Sequence, residues 1–408
     1  MKKTGILSAL LFVSAGISQI GAQSESIPLE WIDPQTQHKV VRLTRTGDNN
    51  QSFYFHNNPF LRTTDGKDDL MLYTGMVDGN WQFFSLNMRT LESTQLSNRT
   101  YGTTGSSSGG QIVDKTNREL IYQSGDSIFA VSIDTHKTRL IHVFPEELGV
   151  TISSVNADGT LLAGKYNEGR KADEIRRQYP QKSDYFTKIY EAHVKHSLIT
   201  YNMKTGETKV LIEKPEWFNH IQFSPKDPEI LMFCHEGPWH KVDRIWTINV
   251  NTGDYRLMHE RTMDMEIAGH EFFSPDGKTI WFDLQQPRSV TFFLCGTNVE
   301  TGQQTKYEMT RNDWSIHFNT TPEEDLFCGD GGDPGQVARA EDGMWIYLFR
   351  PQGDKFVSEK LVSMKNHNYK LEPNVHFSPD KKWVIFRSNM HGETHVYAVE
   401  IEKHYASN

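Results

Sequence analysis

Cysteine is scarce in this chain: Cys234, Cys295 and Cys328 are the only three in 408 residues. Their spacing matches neither a zinc site nor a redox pair, and an odd number cannot close a full set of disulfides, so they read as small buried apolar residues. Basic residues are outnumbered, 43 Lys and Arg against 52 Asp and Glu, for a formal charge of −9. Affinity for phosphate backbones comes from clustered cations, so a general nucleic-acid binder is excluded. Long apolar runs are also missing after the first residues, and none later approaches the roughly 20 residues of a membrane-spanning helix. Membrane insertion is therefore not expected. Aromatic residues are not lacking: at 12% of the chain they provide for a sizeable core and exclude a disordered chain.

The first residues do carry one short apolar run, Ile6 to Ile17, behind Lys2 and Lys3 and ahead of the small-residue stretch Gly21-Ala22-Gln23. This is the pattern of a secretory signal peptide over residues 1–23, and it predicts export to the periplasm, with residues 24–408 forming one domain. Composition sets no oligomeric state.

The mature chain repeats itself. An apolar strand start leads into a Ser-Pro-Asp-Gly type turn and a second apolar strand, most clearly at His220 to Asp227, His270 to Gly277 and Asn374 to Lys381. Weaker copies surround Thr63 to Gly66, Asn156 to Gly159 and Thr320 to Pro322, and most copies reach a third strand ending in an Asn-x-x-Thr-Gly turn, as at Asn249 to Gly253. Four short antiparallel strands per unit describe a propeller blade. Turns near residues 65, 115, 158, 226, 276, 323 and 380 predict an all-β, seven-bladed β-propeller. The run His38 to Thr44 has no turn phrase before it and is expected to close the ring as the outer strand of the last blade. The charged stretch 168–196 breaks the pattern and is expected to be a partly helical insertion over one face of the disc.

Equivalent positions in a propeller converge on the axial channel. The residue five before the turn proline is His220, His270, His317 and Asn374 in four successive repeats, which places three imidazoles and an amide at one mouth. Histidine in that setting serves as a base near neutral pH or as a neutral metal ligand. A hairpin phrase, Phe233 to Trp246, adds His235, Glu236, Trp239, Asp243 and Arg244, and Arg244 has the fork geometry for gripping a carboxylate.

These residues resemble the oligogalacturonate lyase family: the phrase Cys234-His-Glu-Gly-Pro238, then Asp243-Arg-x-Trp246, the strand start His270-Glu-Phe272 and the late Phe386-Arg-Ser-Asn-Met-His-Gly392. The resemblance implies a seven-bladed propeller that cleaves short uronic-acid oligosaccharides by β-elimination, leaving 4,5-unsaturated products. It implies His270 as the base and Arg244 as the neutraliser of the uronate carboxylate. It also implies a divalent metal, usually manganese, held by His317, a glutamine and two histidines. Tyr369, Glu372 and Asn374 stand at those last three positions here. A set of His317, Glu372 and Asn374 with His376 is rich in oxygen and suits manganese, calcium or magnesium better than zinc. His220, His235, Glu236, Tyr369 and Arg170 are then candidates for sugar contacts. Two other readings stay open: a propeller lyase or glycoside hydrolase acting on another acidic glycan, such as rhamnose-linked glucuronate, and a non-catalytic glycan-binding propeller. The expected partner is an acidic oligosaccharide in either enzyme reading.

Overall fold

The turn phrases work through hydroxyl and carboxylate caps. In the copy at residue 275, the Ser274 hydroxyl bonds Asp276 at 2.7 Å and accepts the Thr279 N–H at 3.0 Å, while Gly277, at φ 75°, donates its N–H to the Ser274 carbonyl. Ser378 and Asp380 repeat this at 2.6 Å, and Thr63 and Asp65 do so at 2.6 Å. Each phrase thereby reverses the chain between two antiparallel strands, as between Ile267–Phe273 and Thr279–Gln285.

The computed structural model describes residues 27–45, 48–99 and 111–404, so the expected signal peptide lies outside the described residues. The described chain is all-β, built from antiparallel sheets. Four-stranded sheets run from Gln111–Asp114 to Thr138–Val143, from Thr151–Val155 to Thr208–Lys214, and from Trp217–Phe223 to Tyr255–Leu257. An eight-stranded sheet consists of two antiparallel runs of four, Ile267–Phe273 to Gln304–Met309 and Phe318–Thr320 to Lys355–Ser363, joined by one parallel bridge between Glu308 and Lys355. A sheet of the first strands, Asp48–Gln51 to Ser93–Gln95, is followed in space by the last strands, where His38–Arg42 pairs antiparallel with Glu393–Lys403.

Cores lie between neighbouring sheets. Ile112, Ile121 and Ile128 pack on Ile152, Leu162 and Ile199, and Tyr73 and Phe84 pack on Ile385 and Val396, which joins the first described sheet to the last. All three cysteines are buried and free. Between Leu161–Asn167 and His196–Asn202 the chain leaves the sheet for a 3-10 turn, Glu168–Arg170, and two helices, Lys171–Gln178 and Lys182–Glu191. Their apolar faces, with Ala172 and Ile189, bury against Trp217. No helix among the described residues is long and apolar enough to cross a membrane.

Candidate active site

The inner strands do not run straight. Register shifts fall between Asn219 and Gln222 and between Gly269 and Phe272, and at these bulges His220 and His270 take φ of 43° and 53°. Asn374 takes 54°. Left-handed backbone is costly for residues with a side chain and persists where the surroundings impose it. The bulge turns each side chain off the sheet face, which is how the repeat delivers them to a common place. His317 is not in that left-handed set and stands just before Phe318–Thr320.

His270 and His317 meet edge to face with ring centroids 5.0 Å apart. The Nδ1 of His270 is buried, without a hydrogen-bond partner, 3.8 Å from Asp283 Oδ2. That is too long for a direct hydrogen bond and short enough for the carboxylate to orient the ring. Asp283 is itself fixed by the Trp314 indole N–H at 2.8 Å, and burial pushes its carboxyl above the usual range. Trp239 closes the other side of His270, edge to face at 5.4 Å. Gly269 makes room for it, since a Cβ there would lie 2.9 Å from the Trp239 ring.

His317 is fully buried. Its Nδ1 sits 2.8 Å from Asp330 Oδ2, and the same carboxylate accepts the backbone N–H groups of His317 at 2.8 Å and Asn374 at 3.1 Å. Burial holds the imidazole well below its ordinary pKa and lifts Asp330 to about 7 against the pull of those donors. The Nε2 of His317 has no hydrogen-bond partner and faces Glu372 Oε2 at 3.9 Å. Burial likewise lowers His220 to about 4, with Arg244 adding to the effect, and His220 Nε2 lies 3.8 Å from Glu236.

Arg244 is 2% exposed and held between two carboxylates, its Nη1 donating to Glu236 and its Nε to Glu271, with the Trp239 ring 4.8 Å away. Burial opposes charge on Glu236, yet Arg244 overrides it and holds that carboxyl down at about 2; Glu271 is lowered in the same way. The guanidinium thus faces the protein's own carboxylates.

Among the other sequence candidates, Asn374 and His376 face the segment 52–58: Asn374 Oδ1 accepts the Phe55 N–H at 2.9 Å, its Nδ2 donates to the Glu372 carbonyl at 2.9 Å, and His376 Nε2 lies 3.2 Å from the Phe53 carbonyl. Tyr369 is buried and donates to the Asp330 carbonyl at 3.1 Å. Its position steadies the His317 partner. Glu372 is the exposed member, with 45% of its side chain accessible. His235 is outside the cluster, among the charges of Glu216, Lys214 and Asp243 as well as Glu236. Arg170 is also remote, pairing with Asp173 at 3.2 Å and donating to the Glu146 carbonyl. Sequence reasoning missed Asp283, Asp330, Tyr54 and Arg387. Arg387 is buried, donates to the Glu372 and Ser52 carbonyls at 2.7 and 3.1 Å, and forms no ion pair among the described residues. A cavity of about 500 Å³ is lined instead by turn residues such as Ser224, Pro225, Lys226 and Pro275, with Phe55, His56 and His376. It includes neither His270 nor His317, so volume alone points away from the histidine cluster.

The model of the oligogalacturonate lyase family matches residues 22–404. The chain belongs to that family. An oligogalacturonate lyase of Dickeya dadantii is 26% identical over 388 residues, covering 90% of this chain and 95% of its own. A solved oligogalacturonate lyase in complex with manganese superposes with a TM-score of 0.77 at 24% identity, over 91% of this chain and 96% of that one. The oligogalacturonate lyase of Vibrio parahaemolyticus gives the same TM-score and identity over 92% and 97% of the two chains.

Buried neutral imidazoles make acid stability measurable in this family member. His196 and His367, both buried, are lowered to about 4, with burial the leading cause. The unfolded chain binds protons at an ordinary pKa near 6.5, so between about pH 6.5 and 4 the unfolded state holds more protons and stability falls as pH falls. Each such residue contributes up to about 1.4 kcal/mol per pH unit in that window. The melting temperature is expected to drop steadily from pH 7 to 4.5; a flat profile would show that these imidazoles ionise freely in the folded chain.

Proposed function

We propose that this chain cleaves oligogalacturonate-like uronic-acid oligosaccharides by β-elimination, with His270 as the base. The supporting observation is the imidazole of His270 set between an orienting carboxylate, Asp283, and a second histidine, His317, which comes from beside the other run of strands in the same sheet. A neutral imidazole removes the C5 proton beside the sugar carboxylate, and the C4–O bond then breaks to give a 4,5-unsaturated product. Removing a weakly acidic proton needs positive charge where the carboxylate oxygens gain density. Arg387, which forms no direct ion pair among the described residues, supplies such a field next to Glu372 and His317. Arg244 acts one step back: gripped by Glu236 and Glu271, it fixes the strand that carries His270. Its resemblance-based role as the direct partner of the sugar carboxylate is not what this geometry supports.

A divalent metal fits as a two-donor seat. The buried, unpartnered Nε2 of His317, with its ring oriented by Asp330, and the Glu372 carboxylate are the residues that would hold it. Among the described residues no three His, Cys, Asp or Glu side chains gather as a metal site, so beyond these two donors the ion's remaining ligands would have to be water or substrate oxygens. When bound, the ion would add Lewis-acid stabilisation of the sugar carboxylate.

Five antiparallel runs of four strands and two five-stranded sheets, with the pairing of His38–Arg42 and Glu393–Lys403, support a seven-bladed propeller closed by its N-terminal strand. Export rests on the leader-like residues 1–23. Glu236 and Glu271, both held ionised by Arg244, do not fit the protonated carboxyl that acid hydrolysis needs opposite a carboxylate.

The deciding assay incubates the protein with trigalacturonate, with manganese or with a chelator, and follows ultraviolet absorbance together with reducing ends. Both signals rising together are expected. Reducing ends without absorbance would replace elimination by hydrolysis, and neither signal on a panel of uronate oligosaccharides would leave a binding protein.

A further inference from the structure

The stretch 52–58 carries no repeat phrase, and only a short turn interrupts its irregular path, yet it is held at four points by side chains from elsewhere. Arg387 Nη1 donates to the Ser52 carbonyl and to Gln51 Oε1, His376 binds the Phe53 carbonyl, Asn374 takes the Phe55 N–H, and Asn319 Nδ2 donates to the Phe55 carbonyl at 3.1 Å. The residue bracketed by these bonds is Tyr54. Its ring packs edge to face on His317 at 5.1 Å and His56 at 4.9 Å, and lies 6.5 Å from His220.

Tyr54 is 8% exposed, and among the described residues its hydroxyl has no hydrogen-bond partner. A buried tyrosine hydroxyl ordinarily finds one. The charges acting on this one are Glu372, Glu271, Arg244 and Asp330, the same groups that surround the two histidines. A strap anchored at four points and carrying an O–H without a protein partner next to His317, the ring that packs on His270, is a device for presenting that O–H to a ligand.

We propose that Tyr54 is the proton donor to the departing glycosidic oxygen. The inference rests on the lyase reading above. His270 takes the C5 proton, and the C–H electron pair becomes the C4=C5 bond. The C4–O pair leaves with the glycosidic oxygen, which takes the phenolic proton of Tyr54. The phenolate is reprotonated from solvent as the His270 imidazolium releases its proton, so the net change is transfer of one hydrogen from C5 to the leaving oxygen. His220 is the rival donor, but its imidazole is neutral at the pH of interest and its Nε2 is directed toward Glu236.

The test compares wild type and Tyr54→Phe on trigalacturonate and on a galacturonate bearing a 4-nitrophenyl ether at O4, whose leaving group needs no proton. Phenylalanine keeps the ring contacts with His317 and His56. On trigalacturonate kcat is expected to fall about 10²- to 10⁴-fold with KM little changed, while on the aryl ether the loss shrinks to less than about tenfold. Equal losses on both substrates, or retained activity on trigalacturonate, would overturn the assignment. A leaving-group series with wild type alone needs no variant: rates nearly independent of leaving-group pKa are expected, and a steep dependence would mean that no acid assists departure. If wild type forms no unsaturated product at all, the lyase reading itself has failed, which is a different result from an active wild type with an active Y54F.

Discussion

Replacing His270 by alanine is expected to lower kcat for unsaturated-product formation by about 10²- to 10⁴-fold while leaving the protein folded, because a positioned general base typically contributes that much. The folding side of this expectation comes from the surroundings. His270 is held by ring contacts and a 3.8 Å electrostatic neighbour, with no hydrogen bond on its buried Nδ1. Removing the ring therefore strands no hydrogen-bonded partner, and alanine keeps the Cβ, so the left-handed φ of 53° costs much the same in the variant. Asp283 keeps its bond from Trp314. A variant inactive but with an unchanged melting temperature separates chemistry from scaffold. Retention of most activity in H270A would remove this residue from the mechanism and, with it, the assignment of Asp283 as its orienter.

Arg244→Ala should behave in the opposite way, with stability lost first. Among the described residues the guanidinium is the permanently charged partner of two buried carboxylates, Glu236 and Glu271, which are 3% and 1% exposed. Taking one member out of a buried ionic group leaves the others uncompensated, at a typical cost of about 3–5 kcal/mol. The expected result is a denaturant midpoint shifted well below wild type, and activity lost largely through unfolding at assay temperature. Combining R244A with Glu236→Gln and Glu271→Gln removes the stranded charges and is expected to recover part of the stability. If R244A were instead as stable as wild type and showed a raised KM alone, Arg244 would be a direct ligand of the sugar carboxylate and the positioning role given to it here would be wrong.

The contrast between these two residues marks how far the sequence can be read. The Ser-Pro-Asp-Gly phrases carry their own hydrogen bonds, so the antiparallel turns at residues 65, 276 and 380 were legible without any tertiary information. The register of His220, His270 and Asn374 was legible for the same reason, as a fixed offset from those turns. What each residue then faces is a tertiary matter. Asn374 and His376 fall at plausible ligand positions by spacing, but their polar atoms are turned toward the backbone of Phe55 and Phe53. Arg244 has the right chemistry for a carboxylate and finds two within its own chain. Asp283 and Asp330 each follow the histidine they face by the same 13 residues, a recurring offset that the turn phrases do not mark and whose meaning appears only when the paired strands lie side by side. Tyr54 lies in a stretch without any repeat at all.

The strap at residues 52–58 has a consequence for how this molecule comes into being. Three of its four anchors, Asn374, His376 and Arg387, come more than 300 positions later in the chain, and the strand His38–Arg42 that precedes it is paired with Glu393–Lys403. Contacts of such sequence separation form late, after the entropy of closing the whole loop has been met. A nascent or shortened polypeptide can assemble its middle sheets yet still lack the clasp that sets Tyr54 among the imidazoles. Competence is thus withheld until the two extremities of the polypeptide have found each other.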